Sequence, residues 1–129
     1  MNDRNVLRAA GLFGAIGVGL GAFGAHGLKE ILLARGMISI WETAARYQLI
    51  HAVGLFCIAL WLRQRTGQRS SPLRWAAGSW IAGIVLFSGS LYGLALGGPR
   101  WLGPVTPLGG VAFIAGWLLL IVAASVEGD

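Results

Sequence analysis

Four apolar segments, each long enough to cross a bilayer, take up almost all of this chain of 129 residues. A transmembrane helix needs about 20 mostly apolar residues, because the hydrocarbon core is about 30 Å thick and a helix rises 1.5 Å per residue. The chain is 56% hydrophobic, its mean hydropathy is +0.71 and only 12% of its residues are charged, against about 25% in ordinary soluble domains. We therefore expect an integral membrane protein with no room for a soluble domain.

The predicted spans cover about residues 9–25, 42–63, 75–96 and 107–124. Connectors this short place consecutive helices antiparallel, so the expected fold is an all-α membrane protein with four transmembrane helices in an up-down-up-down bundle. The segment 26–40 is too short to span and mixes apolar with charged residues, which predicts a short amphipathic interfacial segment that ends at Gly36. Thr106 is expected to cap the fourth helix, with Pro107 at its first position.

Basic residues are distributed unevenly between the two ends of the predicted helices. Arg4, Arg8, Arg63, Arg65, Arg69 and Arg74 share one side, against Lys29, Arg35 and Arg100 on the other. By the positive-inside bias this predicts a multi-pass protein of the inner (plasma) membrane with both termini in the cytoplasm. Contact of the arginine-rich connector with anionic lipid is an alternative role. The net charge is +5, but the basic residues are scattered, so no nucleic-acid partner is expected.

Glycine makes up 21 of the residues, which is unfavourable for a soluble helical bundle but common where helices in lipid pack through small residues. We predict helix packing at Gly14, Gly17, Gly21, Gly89, Gly93, Gly109 and Gly116. Gly17, Gly21 and Ala25 form a ridge of small residues four apart. Tight packing within the chain explains this ridge, and a homodimer seam is the alternative.

Polar side chains are concentrated in the outer halves of the second and third predicted spans. An ionisable group near the bilayer centre costs about 2.5–3.5 kcal/mol on insertion scales, so such groups normally face a bundle interior and a partner. The candidate polar cluster, a pocket or a structural network, comprises His26, Glu42, Arg46, Tyr47, Gln48, His51, Ser88, Ser90 and Tyr92.

Specific partners can be expected for some of these groups. Glu42 and Arg46 are four residues apart with the acid first, which favours an ion pair that anchors the helix at the interface, with a substrate contact as the alternative. His51 and Ser88 lie at a similar depth, so we expect His51 to hydrogen-bond Ser88 or another hydroxyl of the third span. Proton relay or ligand contact by His51 is the alternative.

No enzyme, cofactor or metal is expected from the sequence. His26 and His51 fall at different depths, so they do not suit a shared haem iron. Cys57 is the only cysteine, which rules out a disulfide within the chain. No ligand-spaced metal cluster, Ser-His-acid set or phosphate-binding loop is present in the sequence.

Four segments of the chain together resemble one family. They are GAFGAHGLK (residues 21–29), WETAARYQLIHAVGL (41–55), FSGSLYGLAL (87–96) and WLGPVTPLGGVAFIAGW (101–117). These segments resemble the YgdD/YwdK-like small inner-membrane proteins, a domain of unknown function with a small mitochondrial transmembrane protein of animals as a relative. The resemblance implies a four-helix membrane protein without an established activity, and it assigns no catalytic residue.

The function expected is that of a structural or accessory membrane component, which packs with itself or with a larger membrane complex and has the lipid bilayer as its other partner. A small channel or transporter that uses the polar cluster is the alternative. Transport predicts a hydrated cavity that opens to the outer surface. An accessory role predicts a dry, fully hydrogen-bonded core with exposed glycine ridges.

Overall fold

The structure, a computed structural model, describes residues 1–65 and 71–126. The described residues form helices joined by short turns and contain no strand. The elements are α1 (Asp3–Ala25), α2 (Lys29–Ala34), α3 (Ile38–Arg63), α4 (Ser71–Gly83), a π-helical turn (Ile84–Ser88), α5 (Gly89–Ala95) and α6 (Leu102–Ser125). α4, the π-helical turn and α5 run on without a break as one helix, Ser71–Ala95, which we call the third span.

Four of these helices, α1, α3, the third span and α6, are long and apolar enough to cross a membrane. The predicted all-α class with four helices of transmembrane length is confirmed. The helices extend beyond the apolar segments because polar residues can also be helical outside the hydrocarbon. At the start of α1, for example, the Asn2 side chain accepts a hydrogen bond of 2.9 Å from the Asn5 amide, which caps the helix well before residue 9.

The start of the fourth span differs from the prediction. α6 begins at Leu102, so Thr106 lies inside the helix and does not cap it. Pro104 occupies the first turn, where a missing N–H needs no partner. Pro107 lies within the helix, where it removes one backbone hydrogen bond. The prediction that Thr106 and Pro107 begin the helix is therefore wrong.

The segment between the first two spans contains the short helix α2, whose Leu32 is buried. Gly36 follows α2 with a positive φ of 65°. Its amide bonds Leu33 O at 3.1 Å, and the amide of Met37 bonds Leu32 O at 2.9 Å. This pair of bonds is a Schellman motif, in which glycine adopts the left-handed conformation at low cost. The prediction that Gly36 ends the segment is confirmed.

Contacts between helix ends show which ends of the helices lie together. Arg63 at the end of α3 forms an ion pair of 3.0 Å with Asp3 at the start of α1. Arg65 donates to the backbone oxygen of Ala123 near the end of α6 at 3.3 Å. At the opposite end of the bundle, Arg35 donates to Ala95 O at 3.0 Å. The start of α1 and the end of α6 therefore lie at the same end of an antiparallel bundle.

α1 packs against α3, and α6 packs against the third span, so the molecule consists of two helical hairpins. α3 joins them, because it also contacts α4, the π-helical turn and α5. The main core lies between the hairpins; its largest buried side chains include Leu55, Ile58, Leu73, Trp80 and Phe113. Large apolar side chains on the outer faces of α1 and α6 are exposed, as expected for surfaces that meet acyl chains.

The predicted packing glycines fall into two groups. A Cβ atom added at Gly17, Gly93, Gly109 or Gly116 would lie within 3.0 Å of a side chain or backbone of another part of the chain. At Gly14 and Gly89 it would meet nothing within 4 Å, and at Gly21 only Ala45 Cβ at 4.0 Å. Close contacts of the same kind occur at three glycines outside the predicted set, namely Gly24 against Trp41, Gly54 against Trp80 and Gly83 against Phe113.

Candidate functional site

Gln48 lies at the centre of a hydrogen-bonded connection between three spans. Its Nε2 donates to Phe13 O on α1 at 2.9 Å, and its Oε1 accepts a bond of 2.8 Å from the Tyr92 hydroxyl on α5. The ring of Tyr92 also packs edge-on against Trp41, with centroids 4.7 Å apart. Trp41 in turn donates from Nε1 to Leu20 O at 2.8 Å. Two side chains of α3 therefore bind backbone oxygens of α1.

Two serines of the third span, Ser88 and Ser90, join it to the helices on either side. Ser88 is fully buried and donates to Ala44 O on α3 at 2.8 Å. Ser90 bonds the Thr106 hydroxyl of α6 at 2.6 Å and its own Phe87 O at 2.9 Å. Thr106 thus serves as an interhelical partner inside α6. Where water is absent, buried hydroxyl groups form hydrogen bonds with one another or with a carbonyl oxygen.

His51 lies close to the middle of α3, and only 3% of its surface is exposed. Its Nδ1 lies 2.7 Å from Tyr47 O, and Trp117 Nε1 lies 3.1 Å from its Nε2. A carbonyl accepts and an indole N–H donates, so these partners require a neutral ring that carries its hydrogen on Nδ1. The predicted hydrogen bond from His51 to a hydroxyl of the third span does not form among the described residues. α6 supplies the partner instead.

An aromatic cluster surrounds His51. The imidazole stacks on Phe113 with centroids 3.7 Å apart and an interplanar angle of 13°. Trp80 meets it edge-on at 5.3 Å and donates from its own Nε1 to Phe113 O at 3.1 Å. A Trp in the middle of a span, away from the interface that Trp prefers, needs a partner for its N–H. That position was the signal in the sequence that could have placed Trp80 in the core.

The other predicted members of the polar cluster lie outside this core. His26 is exposed and forms the C-terminal cap of α1 through its backbone N–H. Tyr47 is 40% exposed and packs on Phe87 at a centroid distance of 4.8 Å. Glu42 and Arg46 are exposed, and the expected ion pair between them is absent from the described part of the chain. They line a cleft of about 320 Å³ between the end of α1 and the start of α3.

Metal-ligating side chains are not clustered in the part of the chain that the structure describes. In the ranges 1–65 and 71–126, no three His, Cys, Asp or Glu side chains are close enough to hold a metal ion. Each buried polar side chain of these ranges, Gln48, His51, Ser88 and Ser90, has at least one hydrogen-bond partner within the protein. The arrangement can hold helices in register.

Comparison with known families matches residues 20–110 to the model described as "Protein of unknown function (DUF423)". The chain belongs to this family. A UPF0382 membrane protein of Staphylococcus epidermidis is 52% identical over 106 residues, which cover 82% of this chain and 83% of the relative. YwdK of Bacillus subtilis is 47% identical over 111 residues, or 84% and 86% of the two chains. The inner membrane protein YgdD of Escherichia coli K12 is 42% identical over 124 residues, or 96% and 92%. No solved structure matches the chain.

As a DUF423 member, the chain is a membrane protein of unknown function with four helices of transmembrane length. The resemblance seen in the sequence is therefore confirmed. The region matched by the family model contains Gln48, Ser88, Ser90 and Tyr92, whereas the partner of His51, Trp117, lies beyond it.

Proposed function

We propose that this protein is a structural or accessory component of the inner membrane, which acts through its lipid-facing surface and not by moving a solute through its core. Hydrogen bonding of the buried polar side chains carries this proposal. Gln48, His51 and Ser88 each form a hydrogen bond with a backbone oxygen. These side chains therefore have little hydrogen-bonding capacity left for a permeating ion or water molecule. A conduction path needs polar groups that can exchange protein partners for solvent.

The His51 site also favours a structural role over proton relay. A protonated imidazole would point a second N–H at the indole N–H of Trp117, and two donors cannot bond each other. Proton transfer through His51 would therefore require Trp117 to move away. The stacked contact with Phe113 at 3.7 Å leaves no space for water on that face of the ring.

A flux assay in liposomes tests this proposal. We expect purified protein to pass protons, Na⁺, K⁺ and small neutral solutes no faster than empty vesicles at any pH between about 5 and 8, the range in which an unperturbed histidine titrates. A flux above that of empty vesicles, lost in His51→Phe while the variant keeps its melting temperature, would establish the channel alternative instead. Trp75→Phe, a change at an exposed ring, serves as the matched control.

The accessory role makes its own prediction about partners. Purification of the full chain from native membranes in a mild detergent, followed by mass spectrometry, should recover a second copy or another membrane protein in fixed stoichiometry. Recovery of a monomer alone, at several detergent concentrations, would refute the accessory role. The exposed apolar faces of α1 and α6 are the surfaces that such a partner would cover.

The proposed orientation places both termini in the cytoplasm. One end of the bundle holds the start of α1 and the end of α6 and carries Arg4, Arg8, Arg63 and Arg74. The other end carries Lys29, Arg35 and Arg100. The positive-inside bias then assigns the first end to the cytoplasm. Arg69, which also entered the sequence argument, lies outside the described residues. The relative YgdD is an inner membrane protein, which supports the same membrane for this chain.

Cysteine labelling tests the orientation. In a Cys57→Ser background, Arg100→Cys should react with a membrane-impermeant maleimide added to intact spheroplasts. Arg4→Cys should react only after lysis. The opposite pattern would invert the topology.

A further inference from the structure

Two cavities follow one another along one side of the α1–α3 hairpin, and together they form a surface that we call the groove. On α1 the groove is lined by Gly11, Gly14, Val18, Gly21 and Ala25. These positions recur every three or four residues, so they share one face of the helix. A Cβ atom at Gly11 or Gly14 would meet nothing within 4 Å. The small residues on this face therefore leave space next to α3.

The α3 side of the groove is charged at one end and apolar along the rest of its length. Glu42 and Arg46 line the outer cleft of about 320 Å³, and Leu49, Val53 and Phe56 line an apolar cavity of about 580 Å³ below it. These five residues are again three or four apart and share one face. The groove thus has a charged head and an apolar tail, which is the distribution of a lipid molecule.

The charges at the head lie at the depth of a lipid headgroup. α3 has 26 residues, so it is about 39 Å long and exceeds the hydrocarbon thickness by a few ångströms at each end. Glu42 lies four residues into α3, at the edge of the hydrocarbon. Arg46 lies one turn deeper, from where its long side chain can reach outward to the interface.

The order of the two charges matches a zwitterionic headgroup. A phospholipid carries its phosphate next to the glycerol, and the amine of an ethanolamine headgroup can extend beyond it toward water. The deeper Arg46 is placed for the phosphate, and the outer Glu42 for the ammonium. Neither side chain makes an ion pair within the described residues, so both charges are available to a ligand. Guanidinium with phosphate and carboxylate with ammonium are strong, charge-assisted pairs.

We propose that the α1–α3 groove binds one phospholipid with a phosphoethanolamine headgroup, its phosphate at Arg46, its ammonium at Glu42 and an acyl chain in the apolar tail. Charge complementarity favours this lipid, because one molecule supplies a phosphate for Arg46, an ammonium for Glu42 and an acyl chain for the apolar tail. The site does not require the accessory role proposed above.

Native mass spectrometry of the full chain with added lipid tests the head of the site. Phosphatidylethanolamine should bind about tenfold more tightly than phosphatidylglycerol, which lacks the amine, or phosphatidylcholine, whose ammonium has no N–H. Arg46→Gln should weaken binding of all three lipids about tenfold. Glu42→Gln should remove the preference for the ethanolamine lipid. The exposed residues Arg100 and Glu30 supply the controls, Arg100→Gln and Glu30→Gln, which should change neither property.

A second measurement tests the tail. Gly14→Leu should fill the apolar cavity and lower lipid retention several-fold, whereas Gly19→Leu, at an equally open position outside the groove, should not. An ethanolamine lipid with a photoreactive acyl chain should form adducts at Leu49, Val53 or Phe56. The proposal would be overturned if the protein retained all three lipids equally, or if groove and control variants had equal effects. It would also be overturned if the protein formed a dimer that Gly14→Leu dissociates. The last result would assign the groove to a second copy.

Discussion

In the hairpin of α6 with the third span, an aromatic side chain or the backbone of the facing helix packs directly against Gly83, Gly109 and Gly116. In the hairpin of α1 with α3, Gly11 and Gly14 face open space. The first hairpin is closely packed at these three glycines, whereas the second has one packed side, at Gly17 and Gly24, and one grooved side. Glycine therefore allows close approach in both hairpins, and in the second it also leaves a cavity.

Hydrogen bonds follow the same division. On its packed side, α1 is held by Gln48 and Trp41, which donate to the backbone oxygens of Phe13 and Leu20. On its grooved side, Glu42 and Arg46 have no ion-pair partner among the described residues. Polar side chains that face the bundle form hydrogen bonds within the protein, whereas those that face the groove remain available to partners at the membrane interface. The two sides of this hairpin thus suit different tasks, rigidity and ligand contact.

The largest effect that would test this comparison is expected at Gly109. Its added Cβ would overlap the backbone nitrogen of Phe87, and a backbone cannot move aside as a side chain can. Overpacking costs about 1–3 kcal/mol and sometimes more, so Gly109→Ala should lower the free energy of unfolding by at least about 3 kcal/mol. Unfolding in mixed micelles measures the change. Gly110→Ala is the control, since its Cβ would lie 3.9 Å from Phe87 Cδ2; equal losses would disprove the close approach.

A smaller effect is expected for one of the hydrogen bonds that join the two hairpins, the bond from Trp117 to His51. Interhelical hydrogen bonds in membranes contribute about 0.6 kcal/mol on average, with a maximum near 1.7. A double-mutant cycle of His51→Phe and Trp117→Phe, which keeps an aromatic ring at both positions, should give a coupling energy of about 1 kcal/mol. The cycle uses the same unfolding assay. Additive single effects would show that the stacked rings, and not the hydrogen bond, hold this contact.

Gly17 should respond less than Gly109, although both lie in helix contacts. Its added Cβ would come within 2.8 Å of Leu49 Cδ2, the tip of a flexible side chain that can turn away. Gly17→Ala should therefore cost no more than about 1 kcal/mol, at the low end for overpacking. A loss as large as that of Gly109→Ala would mean that the packed side of α1 is as rigid as the other hairpin.

The class of fold could be predicted from the sequence because span length and hydropathy are local properties. Which partner each polar residue takes could not, because it depends on helix rotation and on crossing geometry. His51 was expected to bond Ser88 or another hydroxyl of the third span, yet its partner is Trp117 on α6, and Ser88 bonds Ala44 O on α3. The start of α6 was missed for a local reason: Pro107 resembles a first helical residue, although Pro104 already fills that turn.

The smallest effect on stability is expected at Gly14, and it separates the two uses of glycine. Gly14→Ala places a methyl group in open space, so no clash arises, and alanine favours the helix by up to about 1 kcal/mol relative to glycine. The melting temperature in detergent should therefore stay the same or rise slightly. A clear fall would mean that the groove closes in the folded protein. The absence of a penalty at Gly14, next to a large one at Gly109, would show that Gly14 maintains the groove, whereas Gly109 holds two helices together.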